Sequence, residues 1–199
     1  MANILQNLRS TVIAGLALTA VMFVVFLVIG YYPLDYAWLT FLFRWLHVVS
    51  GVMWIGLLWY FNFVQMPTMP KIPDDQKPAV SKHIAPAALF WFRWGAMSTF
   101  VTGIVLALLN EYFFNALTIG LIDGVVKHTQ IGVGMWLATI MWFNVWFVIW
   151  PNQQKALGLV EADADTKKKA ARTAMLFSRA NTMLSIPMLY AMVSAQNLF

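Results

Sequence analysis

Apolar residues in this chain neither alternate nor keep to one helical face; they run on. Five stretches are dominated by aliphatic and aromatic residues, at 11–30, 38–64, 85–109, 125–150 and 172–197, and each reaches the about 20 residues that a helix needs to cross a bilayer core. A backbone in lipid must satisfy its own hydrogen bonds, so such runs predict helices. The expected fold is an all-α integral membrane protein, one domain over 1–199 built as a bundle of five transmembrane helices. The first run is too long for a signal peptide, and its Gly30-Tyr31-Tyr32-Pro33 exit has no small-residue cleavage site, so it reads as a retained anchor. The segment 67–86 holds five prolines, two aspartates and three lysines, and is expected to be a connector without long regular structure. Proline is expected to stop the fourth helix at Trp150-Pro151, and 161–172, with Lys167, Lys168 and Lys169, is a solvated charged helix or loop.

Charge orients the bundle. Arg9, Lys71, Lys77, Lys82, Lys155, Lys167, Lys168, Lys169 and Arg172 fall on one side, and only Lys127 near a helix end falls on the other. Basic flanks stay in the cytoplasm, which places the N-terminus inside and the C-terminus outside. The net charge of +5 is mostly this asymmetry, with attraction to anionic lipid, and needs no nucleic acid to explain it. At 61% hydrophobic and 11% charged residues, with mean hydropathy +0.70, the chain lies outside the range of soluble domains. It has no cysteine, which excludes disulfides, iron–sulfur clusters, thiolate zinc and covalent c-type haem. Any redox metal must be held by His, Met or carboxylate, and any haem non-covalently.

Candidate chemistry comes from the few polar residues inside the runs, since an unpaired polar group in hydrocarbon costs several kcal/mol by order of magnitude. His47 must be hydrogen-bonded, face a wet cavity or bind a metal. It shares a helix face with Gly51 and Trp54, where glycine would let a flat macrocycle approach or would serve close helix packing, as Gly56 also can. Arg44 lies one turn away. Lys127 and His128 open the fourth run, and counting along each helix brings His47 and His128 to similar depths, as two axial ligands of one b-type haem require. Arg44 or Lys127 would then lie near the propionates. Arg93 and Arg179 lie in the inner half and form a candidate anion site, with snorkelling to lipid phosphate as the alternative. His83 reads as interfacial, and Thr99, Thr102 and Gly103 as helix-contact residues.

Three segments together resemble the membrane domain of the membrane-bound urate oxidase (urate hydroxylase) family: Arg44-Trp45-Leu46-His47 to Trp54-Ile55-Gly56; Thr139-Ile140-Met141 with Asn144 and Ile149-Trp150-Pro151-Asn152-Gln153; and Ser178 with Asn181, Pro187, Met192 and Ser194. The similarity covers about 43–196. The His47, Trp54, Tyr60 spacing is also similar, more distantly, to membrane protoporphyrinogen oxidases and copper-resistance D proteins. The resemblance implies a redox bundle with histidine-ligated haem in the bacterial inner membrane. Family members have histidines where this chain has Ala180 and Gln196, and continue into more helices and a c-type cytochrome.

The leading expectation is therefore a haem b protein, with His47 and His128 as ligands, that transfers electrons within or alongside a larger membrane redox complex. A separate cytochrome or a quinone, together with other membrane subunits and lipid, would be its partners. The competing readings are a non-catalytic accessory subunit of a respiratory or photosynthetic complex, a membrane oxidase acting on a purine or porphyrinogen, and a copper-handling protein using Met66, Met69 and histidines.

Overall fold

The computed structural model describes residues 2–199, and among them every regular element is helical. The chain divides into two compact units that meet between Leu42 and Phe43. In the first unit, helix α1 (Leu8–Val28) is capped by Asn7, whose side chain accepts from the Ser10 amide at 3.2 Å. None of its residues is buried. Phe23 packs on Trp38 with ring centroids 5.2 Å apart.

The second unit is built on four long helical stretches. Helix α2 (Tyr36–Trp59) continues through a π-helical turn, Tyr60–Gln65, to Lys71. Helix α3 (Ala85–Leu109) is preceded by a π-helical turn, Val80–Ile84, so that its helical stretch begins at Lys77. A short helix α4 (Phe113–Leu117) follows, then α5 (Val126–Phe143), which runs through a third π-helical turn, Asn144–Ile149, into Trp150–Ala156. Helix α6 (Ala164–Asn197) starts at an Asp163 cap that accepts from the Thr166 amide at 2.8 Å.

Two expectations need correcting. The proline-rich connector is largely helical, because Pro67, Pro70, Pro78 and Pro86 sit in the first turns of short helical segments, where a missing N–H costs nothing. The fourth helix also does not stop at Pro151. The wider π-helical turn before it resets the hydrogen-bond register, so proline falls in the opening turn of Trp150–Ala156.

Four stretches are long and apolar enough to cross a membrane: Leu8–Val28, Tyr36–Lys71, Lys77–Leu109 and Val126–Ala156. The fifth expected run lies inside α6, which is not among them. The core is bulky: Trp54, Leu58 and Phe61 of the α2 stretch meet Leu89, Phe92 and Ala96 of α3, Met141, Val145 and Ile149 of the α5 stretch, and Ala174 and Met188 of α6. Toward the α4-capped end the packing residues become small. Ala116, Ile131 and Ala195 form a second cluster there, and a side chain on Gly132 would collide with the Ala116 carbonyl.

Candidate functional site

His47 is held by α3. Its Nδ1 lies 2.9 Å from the Thr99 carbonyl oxygen and 3.3 Å from Thr102 Oγ1. A carbonyl only accepts, and the Thr102 hydroxyl proton is already directed to the Ser98 carbonyl at 2.6 Å, so the imidazole proton belongs on Nδ1 and the lone pair on Nε2. The ring rests on backbone: a Cβ at Gly103 would come within 2.9 Å of His47 Cε1. Gly51 faces α3 without a tight approach: a Cβ there would meet Thr99 Cγ2 at 3.9 Å, an ordinary contact. Trp54 is 1% exposed, and its backbone nitrogen would lie 3.2 Å from a Cβ on Gly95. The tight approach between these two helices is therefore made at Gly95 of α3, while a Cβ on Gly56 would meet nothing within 4 Å.

His128 is held differently. Its Nδ1 is bonded to the Asp123 carboxylate, and the other oxygen of that carboxylate accepts from the Val125 amide at 3.1 Å. The hydrogen bond from His128 holds the Asp123 carboxyl below its ordinary range. The Tyr112 ring lies 6.0 Å from that of His128. Burial pushes the Tyr112 phenol up, and the Arg44 charge partly offsets this. Arg44 itself donates to Gln196 Oε1 at 3.1 Å. The α4-capped end therefore gathers Arg44, Tyr112, Asp123, His128 and Gln196, with half-buried Lys127 beside His128, while His47 lies one turn further in and faces α3. Tyr112, Asp123 and Gln196 were not singled out as site residues in the sequence; the five-residue spacing of Asp123 and His128 was the available signal.

The opposite half carries a polar seam. On α6, Ser178, Asn181 and Ser185 are buried at i, i+3 and i+7. Asn62 donates to Ser178 Oγ at 2.8 Å, Trp59 Nε1 to Ser185 Oγ at 3.0 Å, Asn144 to Asn181 Oδ1 at 2.8 Å, and Asn181 to the Met141 carbonyl at 2.9 Å. Asn62 and Asn144 each lie in a π-helical turn, where the widened backbone offers room for such a bond.

Arg93 finds an aromatic partner: its guanidinium carbon lies 3.3 Å from the Trp150 ring centroid and 5.8 Å from that of Trp146, and its Nε donates to the Leu89 carbonyl. Arg179 and His83 are exposed. Among the described residues no ion pair involves Arg93 or Arg179, and no group of three or more His, Cys, Asp or Glu side chains could hold a metal ion.

Many of the tie-forming residues fall in the C-terminal part of the chain. Residues 124–198 match the urate oxidase N-terminal family. The resemblance read from the sequence holds over this part of the chain, which takes in His128, Asn144, Ser178, Asn181 and Gln196 but not His47. No curated protein and no solved structure matches the chain.

Proposed function

We propose that this is a five-span protein of the bacterial inner membrane, N-terminus inside and C-terminus outside, that holds a b-type haem non-covalently and transfers electrons within or alongside a larger membrane redox complex. The carrying observation is the Nδ1 bond of His47 to the Thr99 carbonyl. Metal-ligating histidines characteristically donate their second ring nitrogen to a carbonyl or carboxylate, which fixes the tautomer and strengthens the ligand. His47 would therefore offer Nε2 to the haem iron, with Nδ1 held by the Thr99 carbonyl. His128, tied by Nδ1 to Asp123, has the same preparation and is the proposed second ligand, with Arg44 and Lys127 as the cations for propionates. A haem held by these two histidines would supply one-electron transfer. The chain's own part is to fix both imidazole tautomers and to supply positive charge beside them. A separate cytochrome or quinone would be the electron partner.

The fifth span is the later part of α6, whose overall hydropathy is lowered chiefly by the charged Asp165, Lys167, Lys168, Lys169, Arg172 and Arg179 and further by the buried Ser178, Asn181, Ser185 and Ser194. Its exposed side carries Leu176, Met183, Ile186, Tyr190 and Val193, as a lipid-facing surface should.

A second reading, an accessory subunit that has lost its cofactor, is favoured by one contact. Gln196 stands where the urate oxidase family has histidine, and it is engaged as an acceptor for Arg44. Reduced-minus-oxidised absorption spectra of the purified protein separate the two. The haem reading expects a Soret and an α band that disappear in His47→Ala and survive in His83→Ala. A colourless, fully helical preparation supports the accessory subunit instead.

A further inference from the structure

The turn after α4 exposes more hydrocarbon than a loop in water would. Phe114, Leu121 and Ile122 are 70%, 87% and 71% exposed, and Leu117, Val125 and Val126 are exposed as well. These side chains are displayed by a stiff frame. Ile119 adopts φ 55°, a left-handed conformation that is an outlier for a β-branched residue and persists only where the surroundings impose it. Here the Ile119 amide bonds the Ala116 carbonyl at 2.9 Å, the Gly120 amide bonds that of Asn115 at 2.8 Å, and the Gly124 amide bonds that of Gly120 at 2.9 Å. The Asp123–His128 bond fastens the far side.

The apolar surface of α4 is also continuous with the flanks of α3 and α5, two stretches apolar enough to cross a membrane. A cleft of about 150 Å³ lies at this junction, with Phe100, Ile104, Phe113, Leu117 and Trp136 in its walls. Trp136 Nε1, which could have met a polar ligand there, donates instead to the Leu117 carbonyl at 2.9 Å. The cleft is open on one side and its walls are almost wholly apolar, a surface that hydrocarbon covers at less cost than water. Both charged groups of this stretch come after the tip: Asp123 directly follows Ile122, and Lys127 lies four residues further on.

We infer that α4 and the turn 118–124 are embedded in the lipid leaflet at that end of the bundle, with Leu121 and Ile122 in hydrocarbon and lipid chains against the cleft. The occupant is the bilayer itself. Continuity with the spanning surface and the lack of an unsatisfied polar group in the cleft both point to it. A pre-shaped tip loses little conformational freedom on insertion, which is what the left-handed Ile119 and the pinned aspartate provide. The inference is independent of whether haem is bound.

The chain has no cysteine, so Leu121→Cys and Ile122→Cys each introduce a single thiol at a site too exposed to disturb packing. Labelled with a polarity-sensitive fluorophore in phosphatidylcholine nanodiscs, both should emit to the blue of the same label at Asp75→Cys in the opposite turn. Both should be quenched severalfold more by nitroxide lipids than by aqueous iodide, with the order reversed at position 75. Iodide quenching as strong as at position 75 would overturn the inference. So would protection from both quenchers, which would mean that another protein chain covers the tip.

Discussion

From Trp54 toward the proline-rich end, the four-helix unit is filled by Trp54, Leu58, Phe92, Met141, Val145 and Ile149, each no more than 2% exposed, and cross-linked by Asn62, Asn144 and Asn181. Toward the α4-capped end the apolar cluster shrinks to Ala116, Ile131 and Ala195 with Met135 and Met192 against it, helices meet at small residues such as Gly103 and Gly132, and ionisable or polar groups gather: Arg44, His47, Tyr112, Asp123, His128 and Gln196. The difference teaches where chemistry can reside. Bulky residues interdigitate and leave nothing to move, whereas small residues bring backbones together and leave imidazoles held at one nitrogen with the other spare. On this account the proline-rich half keeps the helices in place, and the capped half does the work.

Variants can break or sharpen that contrast. The largest effect is expected from Trp54→Ala, which opens a cavity in the packed half and should cost about 3–5 kcal/mol, seen as a large fall in melting temperature in nanodiscs. Next comes Asn181→Ala, which strips Asn144 of its acceptor and the Met141 carbonyl of its donor. It should cost about 1–3 kcal/mol and increase amide exchange around Asn144–Ile149. Were it neutral, the seam would be ornamental and the contrast would fail.

Gly103→Ala acts at the other end. The new methyl would press on Cε1 of His47, so it should displace the ring and weaken haem retention while leaving helicity unchanged by circular dichroism. The smallest effect is a pH dependence at the cap. The folded Asp123 carboxyl titrates below its ordinary range, so its contribution is complete above that range and is lost as pH falls through the lowered value. Amide exchange at 119–125 should therefore quicken on acidification, and Asp123→Asn should remove the pH dependence.

Much of the helical architecture was legible because hydrocarbon runs admit few alternatives: the expected 85–109 is α3 to the residue. Helix ends were less legible. Pro67, Pro78 and Pro151 read as breakers, yet each sits where a new turn begins, and the π-helical turns that allow this leave no mark in a hydropathy pattern. In the capped half, His47 stood out as a polar residue in an apolar run, but its partner is a backbone carbonyl, which no side-chain motif announces. Asp123 belongs to no motif in the sequence, and only the fold shows it fixing His128. Arg93 was legible as a charge needing an answer; the answer, the face of Trp150, comes from another helix.

The division of labour is tested most directly by comparing His47→Ala and Asn181→Ala in one assay, reading Soret absorbance per folded protein together with melting temperature. The account predicts that His47→Ala loses the Soret band and melts close to the unsubstituted apoprotein, while Asn181→Ala keeps the band and melts lower. If band and melting temperature fall together in both variants, or the band survives in His47→Ala, the two halves do not divide support from chemistry as described.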